Sequence, residues 1–308
     1  MSKQVAAIDC GTNAIRLLIS HVDSQGNVRD LSRQMRTVRL GEGVDRTGEF
    51  SQAALERTFS ACREYAQIIS EFEVEAVRFI ATSASRDVTN RMAFESGVVS
   101  ILGIQPEVIS GEEEAELSYI GAISGFRPSP VQPILVADIG GGSTEFVMHD
   151  SHSGYLAHSV NLGCVRMTER HLHSDPPTPD EIQKSIDDIH RDVNKVRNQL
   201  PVDNVQTFIG LAGSVTTIAA MSLGLGTYDP AVIHGTVLTF AQVESVTQEL
   251  LRMTRVQRAS LGFMHPGRVD VIGGGALVLQ ESMRELGLTH VLVSEHDLLD
   301  GVVSRLIA

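Results

Sequence analysis

Two short apolar runs, each closed by an aspartate and a glycine-bearing polar turn, dominate the hydropathy pattern. Residues 5–8 end at Asp9-Cys10-Gly11-Thr12-Asn13, and residues 134–137 end at Asp138-Ile139-Gly140-Gly141-Gly142-Ser143-Thr144-Glu145. Each run reads as a buried strand, and apolar positions resume at 15–20 and 146–148 as the second arm of a hairpin. Residues 28–40 partly alternate and predict a strand carrying Arg29, Arg33, Arg36 and Arg39. Ser51 is placed to cap a long helix, because Ala54, Leu55, Phe59, Cys62, Tyr65, Ala66 and Ile69 recur at helical spacing. Residues 76–81 form a further strand running into Thr82-Ser83-Ala84-Ser85-Arg86, followed by a helix over 87–102 and a brief strand over 107–109.

An amphipathic helix over 112–123 is entered through Ser110-Gly111, with acids at its start complementing the helix dipole. Two more glycine turns are expected at 208–217 and 271–277. Ser294-Glu295-His296-Asp297 reads as a capped start for a last helix, whose apolar face is Leu298, Leu299, Val302, Val303, Leu306 and Ile307. Three prolines within 125–133 mark 127–133 as the linker, separating a domain over 1–126 from one over 134–294. The repeated strand–aspartate–turn–strand unit implies a duplicated α/β architecture with a cleft between its halves.

Length agrees with that division, since 308 residues make roughly two domains at about 150 each. The net charge of -13 argues against a general nucleic-acid binder, which needs a basic face for the phosphate backbone. Three of the 25 basic residues are lysines (Lys3, Lys184, Lys195), and no Gly-Lys-Ser or Gly-Lys-Thr occurs, which excludes a P-loop enzyme. Cys10, Cys62 and Cys164 are far apart and read as reduced thiols, Cys10 as a packing residue. Neither a signal peptide nor a run of about 20 apolar residues is found, so no membrane association and a cytoplasmic location are expected.

Glycine turns at strand ends let phosphate approach backbone N–H groups. Asp138 and Glu145 stand seven apart across such a turn. In a hairpin both carboxylates face one side, as oxygen ligands suited to Mg2+ or Mn2+ held together with substrate phosphates. The plainer alternative is that Asp138 caps the turn and Glu145 is solvated. Glu112, Glu113, Glu114 and Glu116 form an acidic run, by default a solvated helix face, although a hydrolase needs one carboxylate to deprotonate water. Composition does not choose among the four. Arg86, at a strand end, suits bidentate phosphate binding or a plain ion pair with a neighbouring acid. The histidines, among them His149, His152, His158, His171 and His173, form no zinc ligand set; His234, Arg268 and Asp270 interrupt apolar stretches near glycine turns.

These blocks together resemble the exopolyphosphatase and guanosine pentaphosphate phosphohydrolase family. The resemblance rests on Asp9-Cys-Gly-Thr-Asn-Ala-Ile-Arg-Leu-Leu18, Ala81-Thr-Ser-Ala-Ser-Arg86, Ile109-Ser-Gly-Glu-Glu-Glu-Ala115, Asp138-Ile-Gly-Gly-Gly-Ser-Thr-Glu145, Asn161-Leu-Gly-Cys-Val-Arg166 and Gly210-Leu-Ala-Gly-Ser-Val-Thr-Thr217, in family order. It implies two RNase H-like domains of the actin, sugar kinase and Hsp70 ATPase superfamily facing an active cleft, with the segment 295–308 packing back on the first. By the same resemblance Glu114 is the catalytic base and Asp138 and Glu145 bind Mg2+ or Mn2+. Asp9, Gly11, Thr12, Asn13, Arg86, Gly140, Gly141, Gly142, Ser143, Gly213, Ser214 and Arg268 bind substrate phosphate. Cys10 and Ala14 depart from the family's usual bulkier aliphatic and serine, and the helical accessory domains of larger members are not expected within 308 residues. The expected reaction is hydrolysis of terminal phosphoanhydride bonds of inorganic polyphosphate. The alternatives are 5′-phosphohydrolysis of guanosine pentaphosphate and an actin-like ATP-binding or kinase module; a homodimer is common in the family.

Overall fold

A computed structural model describes residues 2–25, 27–86, 88–150 and 154–307, so His152 and the first residue of the helix expected over 87–102 lie outside the described residues. The chain divides into two compact units, Met1–Gly121 with Leu298–Ala308, and Ala122–Asp297. The division falls inside the helix Gly111–Ser124 rather than at the prolines of 127–133, which belong to the second unit.

The first unit holds a five-stranded sheet built from β1 (Lys3–Cys10), β2 (Ala14–Val22), β3 (Val28–Thr37), β4 (Val74–Ala81) and β5 (Glu107–Val108), in the order β3-β2-β1-β4-β5. The pairs β1/β2 and β2/β3 are antiparallel, while β4 and β5 add in parallel. This is the strand order of an RNase H-like domain. The apolar run of β1 is nearly continuous because both sheet faces are covered, and side chains alternate between them. Ala6, Ile8 and Cys10 pack with Ala54, Leu55, Cys62 and Tyr65 of the helix Gln52–Ser70 and with Phe94 and Val98 of the helix Arg91–Leu102. Val5 and Ala7 face the other way, onto Leu117 and onto Leu298, Leu299, Val302 and Val303 of the helix Leu298–Ile307. Burying each of the larger aliphatic side chains, such as Ile8, Leu55 or Val302, contributes about 1.5–3 kcal/mol. The helix Gln52–Ser70 starts as expected, with the Ser51 hydroxyl accepting from the Ala54 N–H at 3.2 Å.

In the second unit, β6 (Ile134–Ile139), β7 (Thr144–Asp150), β8 (Gly154–Val160), β9 (Thr207–Leu211), β10 (Val237–Thr239) and β11 (His290–Val293) are ordered β10-β11-β9-β6-β7-β8. Without β10, this is the first sheet's order and pairing again, so the fold is a duplicated RNase H-like α/β architecture. The glycine turn expected at 271–277 is instead the first half of the helix Ile272–Glu285. A Cβ at Gly275 would strike the Ser214 side chain, and one at Gly274 would meet the Cys164 carbonyl oxygen at 2.8 Å. Those glycines serve close helix packing rather than a phosphate turn. Ser294 does not cap the final helix either; its hydroxyl donates to the His296 carbonyl at 2.8 Å within a local turn.

Candidate active-site residues in the two units

In the first unit β1 and β2 are joined by Gly11-Thr12-Asn13, with the Gly11 N–H bonded to the Ala14 carbonyl at 3.0 Å. The Thr12 and Ser83 hydroxyls lie 2.9 Å apart, buried, and tie this turn to the one that follows β4. Asp9 is 3% exposed and sits in register with Arg16, whose Nε and Nη2 donate to Asp9 Oδ2 at 3.0 and 2.6 Å. Asp9 thus holds the Arg16 guanidinium. Arg16 is absent from the expected set; the signal that finds it is the spacing of seven residues, the same as between Asp138 and Glu145.

The acidic run separates cleanly by burial. Glu112 is exposed and Glu113 and Glu116 are half-buried, whereas Glu114 is 7% exposed. Glu113 pairs with Arg78 at 2.8 Å, and Glu116 pairs with Arg305. Glu114 Oε2 accepts from Arg86 Nη1 at 2.7 Å, and the same nitrogen donates to the Ile109 carbonyl at 3.0 Å. Ser110 starts the helix, its hydroxyl accepting from the Glu113 N–H and its carbonyl from the Glu114 N–H. Of the two expectations for Arg86, the geometry shows the ion pair: its guanidinium orients Glu114.

Two further arginines of β3 have structural partners. Arg33 pairs with Asp300 at 2.6 Å and Arg36 with Glu64 at 2.8 Å, which fastens the edge strand to neighbouring helices.

In the second unit Asp138 and Glu145 are register partners across β6 and β7, and 6% and 1% exposed. Glu145 is therefore not a solvated strand residue. Ser159 of β8 is in register with it and donates to Glu145 Oε1 at 2.8 Å. The Gly140 N–H closes the turn on the Ser143 carbonyl at 3.0 Å. Behind the turn stands the helix Cys164–His171: the N–H groups of Cys164, Val165 and Arg166 donate to the carbonyls of Gly140 and Gly141, and Arg166 Nε donates to that of Gly142 at 2.7 Å. In a planar trans peptide the C=O of one residue and the N–H of the next point in opposite directions. With the Gly140, Gly141 and Gly142 carbonyls held toward the helix, the N–H groups of Gly141, Gly142 and Ser143 face away from it, as an anion cradle requires. Gly163 makes this stacking feasible, since a Cβ there would overlap the Gly141 backbone.

Gly213 and Ser214 open the helix Ala212–Ser222 directly after β9. A Cβ on Gly213 would overlap the Arg268 guanidinium, so the glycine makes room for the arginine to lie against the helix start. Ser214 contacts Cys164, whose thiol is pushed up by burial and pulled back by Arg268 and the Ser214 hydrogen bond. Burial, and then Arg268, push His265 below its ordinary range, and its Nδ1 accepts from the Gly267 N–H at 3.1 Å.

His171 contacts Asp188 at 3.0 Å, and both His234 nitrogens are engaged, Nε2 with the Gly125 carbonyl at 3.1 Å and Nδ1 with the Glu295 N–H at 3.2 Å. Asp270 pairs with Arg255. Cys10 is 1% exposed and burial drives its thiol well up, which suits a packing residue. Among the described residues no group of three or more His, Cys, Asp or Glu is placed to hold a metal ion, and no helix is long and apolar enough to cross a membrane.

Each of the two RNase H-like units carries an aspartate near the end of the first strand of its hairpin, followed by a polar turn, and the first unit also holds the buried Glu114 on Arg86. Residues 18–308 match the Ppx/GppA phosphatase family, and the chain belongs to that family. It is 45% identical over 315 residues to exopolyphosphatase 2 of Mycobacterium tuberculosis, covering 98% of each chain. Over 308 residues it is 26% identical to the guanosine-5′-triphosphate,3′-diphosphate pyrophosphatase of Photobacterium profundum, covering all of this chain and 60% of that one. Among solved structures, an exopolyphosphatase-like protein superposes with a TM-score of 0.94 at 42% identity, covering 100% and 99% of the two chains. The Ppx/GppA family member of Aquifex aeolicus gives 0.83 at 29%, covering 100% and 98%.

Proposed function

We propose that the chain is an exopolyphosphatase, hydrolysing the terminal phosphoanhydride bond of inorganic polyphosphate to release orthophosphate. The observation that carries this reading is the Glu114–Arg86 pair, a single buried carboxylate in an acidic run, oriented at 2.7 Å by a guanidinium. Water attacks the terminal phosphorus, its proton passes to Glu114, and the bridging P–O bond breaks, so that the terminal phosphorus is released as orthophosphate and the bridging oxygen stays with the shortened polyphosphate chain. The Gly11–Thr12–Asn13 turn in the first unit, and in the second the N–H groups of Gly141, Gly142 and Ser143 with Ser214 and the Arg268 guanidinium, are each suited to hold phosphate oxygens.

The donor chemistry of Asp138 and Glu145 fits Mg2+ or Mn2+, which is commonly bound through one or two carboxylates plus substrate phosphates. Bound there, the ion would neutralise phosphate charge. Ser159 fixes the Glu145 carboxylate for that role.

A chain of net charge -13 repels a polyanion at long range, so attraction has to be local. The lysines are used elsewhere, Lys184 on Asp180, Lys195 on Asp192 and Lys3 on the Leu306 carbonyl. Arginine, backbone N–H groups and metal are what remain for the substrate. Three buried free cysteines suit a reducing, cytoplasmic setting.

The test is phosphate release from short polyphosphate, long polyphosphate, guanosine pentaphosphate and ATP, with and without Mg2+. Release from polyphosphate that requires the metal supports the proposal. Preference for guanosine pentaphosphate, or release from ATP with phosphate transferred to an acceptor, would replace it with one of the two alternatives.

A further inference from the structure

Among the described residues, two that are not glycine have positive φ, Arg39 at 48° and Ala212 at 67°. Such residues are strained, and strain of this kind collects where the surrounding structure uses the geometry. Ala212 directly precedes Gly213. Arg39 has no place in the phosphate motifs, yet it lies against one of them.

The segment after β3 is anchored by Val38 and Leu40, 1% and 0% exposed, and by Arg57 Nε donating to the Val38 carbonyl at 2.7 Å. The N–H groups of Val38 and Arg39 converge on a single acceptor, the Asn13 carbonyl, at 3.0 and 2.9 Å, and the left-handed Arg39 then turns the chain that follows. Successive N–H groups brought together this way form a nest, here closed on a carbonyl oxygen instead of an anion. Two residues on, the Gly41 N–H donates to the Thr12 carbonyl at 2.9 Å. Gly41 lies so close that a Cβ would overlap the Thr12 side chain and come within 3.3 Å of the Ala84 Cβ. The same Thr12 carries the hydroxyl that meets Ser83.

With the Thr12 and Asn13 carbonyls drawn toward this segment, planarity turns the N–H groups of Asn13 and Ala14 the other way. The second unit reaches the same arrangement by different means, using the N–H groups of the helix Cys164–His171 behind Gly140 and Gly141. We propose that residues 38–41 are the buttress of the Gly11–Thr12–Asn13 phosphate turn, with Arg39 and Gly41 as positioning residues that act through the backbone. This rests on the reading of that turn as a phosphate site.

The test compares Gly41→Ala, Arg39→Ile and Arg39→Gly with the wild type, measuring KM and kcat on polyphosphate, orthophosphate binding by calorimetry, and Tm. Isoleucine resists the left-handed conformation and glycine adopts it freely. Arg39→Ile is expected to raise KM at least tenfold and weaken orthophosphate binding in parallel, with kcat within about threefold. Arg39→Gly is expected to restore both to within about threefold of wild type. Gly41→Ala is expected to match Arg39→Ile; should it fail to fold, the Arg39 pair decides alone. Equal losses in Arg39→Ile and Arg39→Gly would place the effect in the side chain and overturn the proposal, as would a wild-type KM in Arg39→Ile. A wild type that neither hydrolyses polyphosphate nor binds orthophosphate would instead remove the reading beneath it.

Discussion

Asp9 and Arg16 face each other across the β1–β2 hairpin at the position where Asp138 and Glu145 face each other across β6–β7. The duplicated fold thus sets a carboxylate against a guanidinium in one unit and against a second carboxylate in the other. On the proposed reading, charge neutralisation within the hairpin gives Asp9 a structural task, while the carboxylate pair would supply the metal ligands. Asp138→Asn is expected to raise the Mg2+ concentration for half-maximal activity at least tenfold. Asp9→Asn is expected to leave that concentration within about twofold of wild type while lowering Tm, since removing one partner of a largely buried pair costs up to about 3 kcal/mol. Magnesium titrations of the two variants decide the assignment, and equal Mg2+ shifts would contradict it.

Ser159 touches Glu145 and is expected to act through it. Removing a group that orients a metal ligand typically lowers metal affinity about 10-fold or more. Ser159→Ala should therefore weaken Mg2+ activation while kcat at saturating Mg2+ stays near wild type. Loss of kcat at saturating metal would give Ser159 a different role.

Arg268 and His265 make the phosphate site proposed for the second unit observable. Burial and the neighbouring guanidinium both disfavour imidazolium, so His265 titrates below its ordinary value. An anion bound on Arg268 offsets the guanidinium's repulsion, and the His265 pKa should rise when orthophosphate is added, as read by NMR titration. In Gly213→Ala the new Cβ displaces the guanidinium, so the rise should disappear and KM for polyphosphate should increase about tenfold. No change in the wild-type His265 titration would remove Arg268 from the site.

The helix Pro179–Gln199 carries a prediction about stability and pH. Its capping box, Thr178 with Glu181, lowers Glu181 from 4.5 to about 2, chiefly through the Thr178 N–H. A carboxyl depressed in the folded state stabilises fully above its unfolded pKa and loses that contribution as pH falls through its folded one. The Tm difference between wild type and Glu181→Gln should be constant above about pH 5 and shrink between pH 4.5 and 2. A difference that grew on acidification would refute the capping assignment.

Much of this site is visible in the sequence, for reasons that differ from residue to residue. Asp138 and Glu145 are legible because a tight turn fixes the hairpin register, and register fixes which residues are opposed. The same arithmetic identifies Arg16 as the partner of Asp9, although nothing in residue type points to it. Glu114 is singled out only by the family resemblance, not by composition or spacing, since its distinction from Glu112, Glu113 and Glu116 is burial, and burial depends on Arg86 and Ile109 brought in from elsewhere in the chain. Gly273, Gly274 and Gly275 mislead because a glycine run that permits phosphate approach looks identical to one that lets two helices touch. The support behind each turn, the segment 38–41 and the helix Cys164–His171, is a tertiary relationship with no local signature.

The most direct test of the hydrolytic reading is Glu114→Gln, assayed beside the wild type for phosphate release from polyphosphate and for polyphosphate binding at saturating Mg2+. Glutamine keeps the shape and an acceptor for Arg86 but cannot take the proton from water. The expected result is binding within about threefold of wild type and turnover reduced at least 100-fold, equivalent to about 3 kcal/mol. Near-normal turnover in Glu114→Gln would contradict the assignment of Glu114 as the base that activates water.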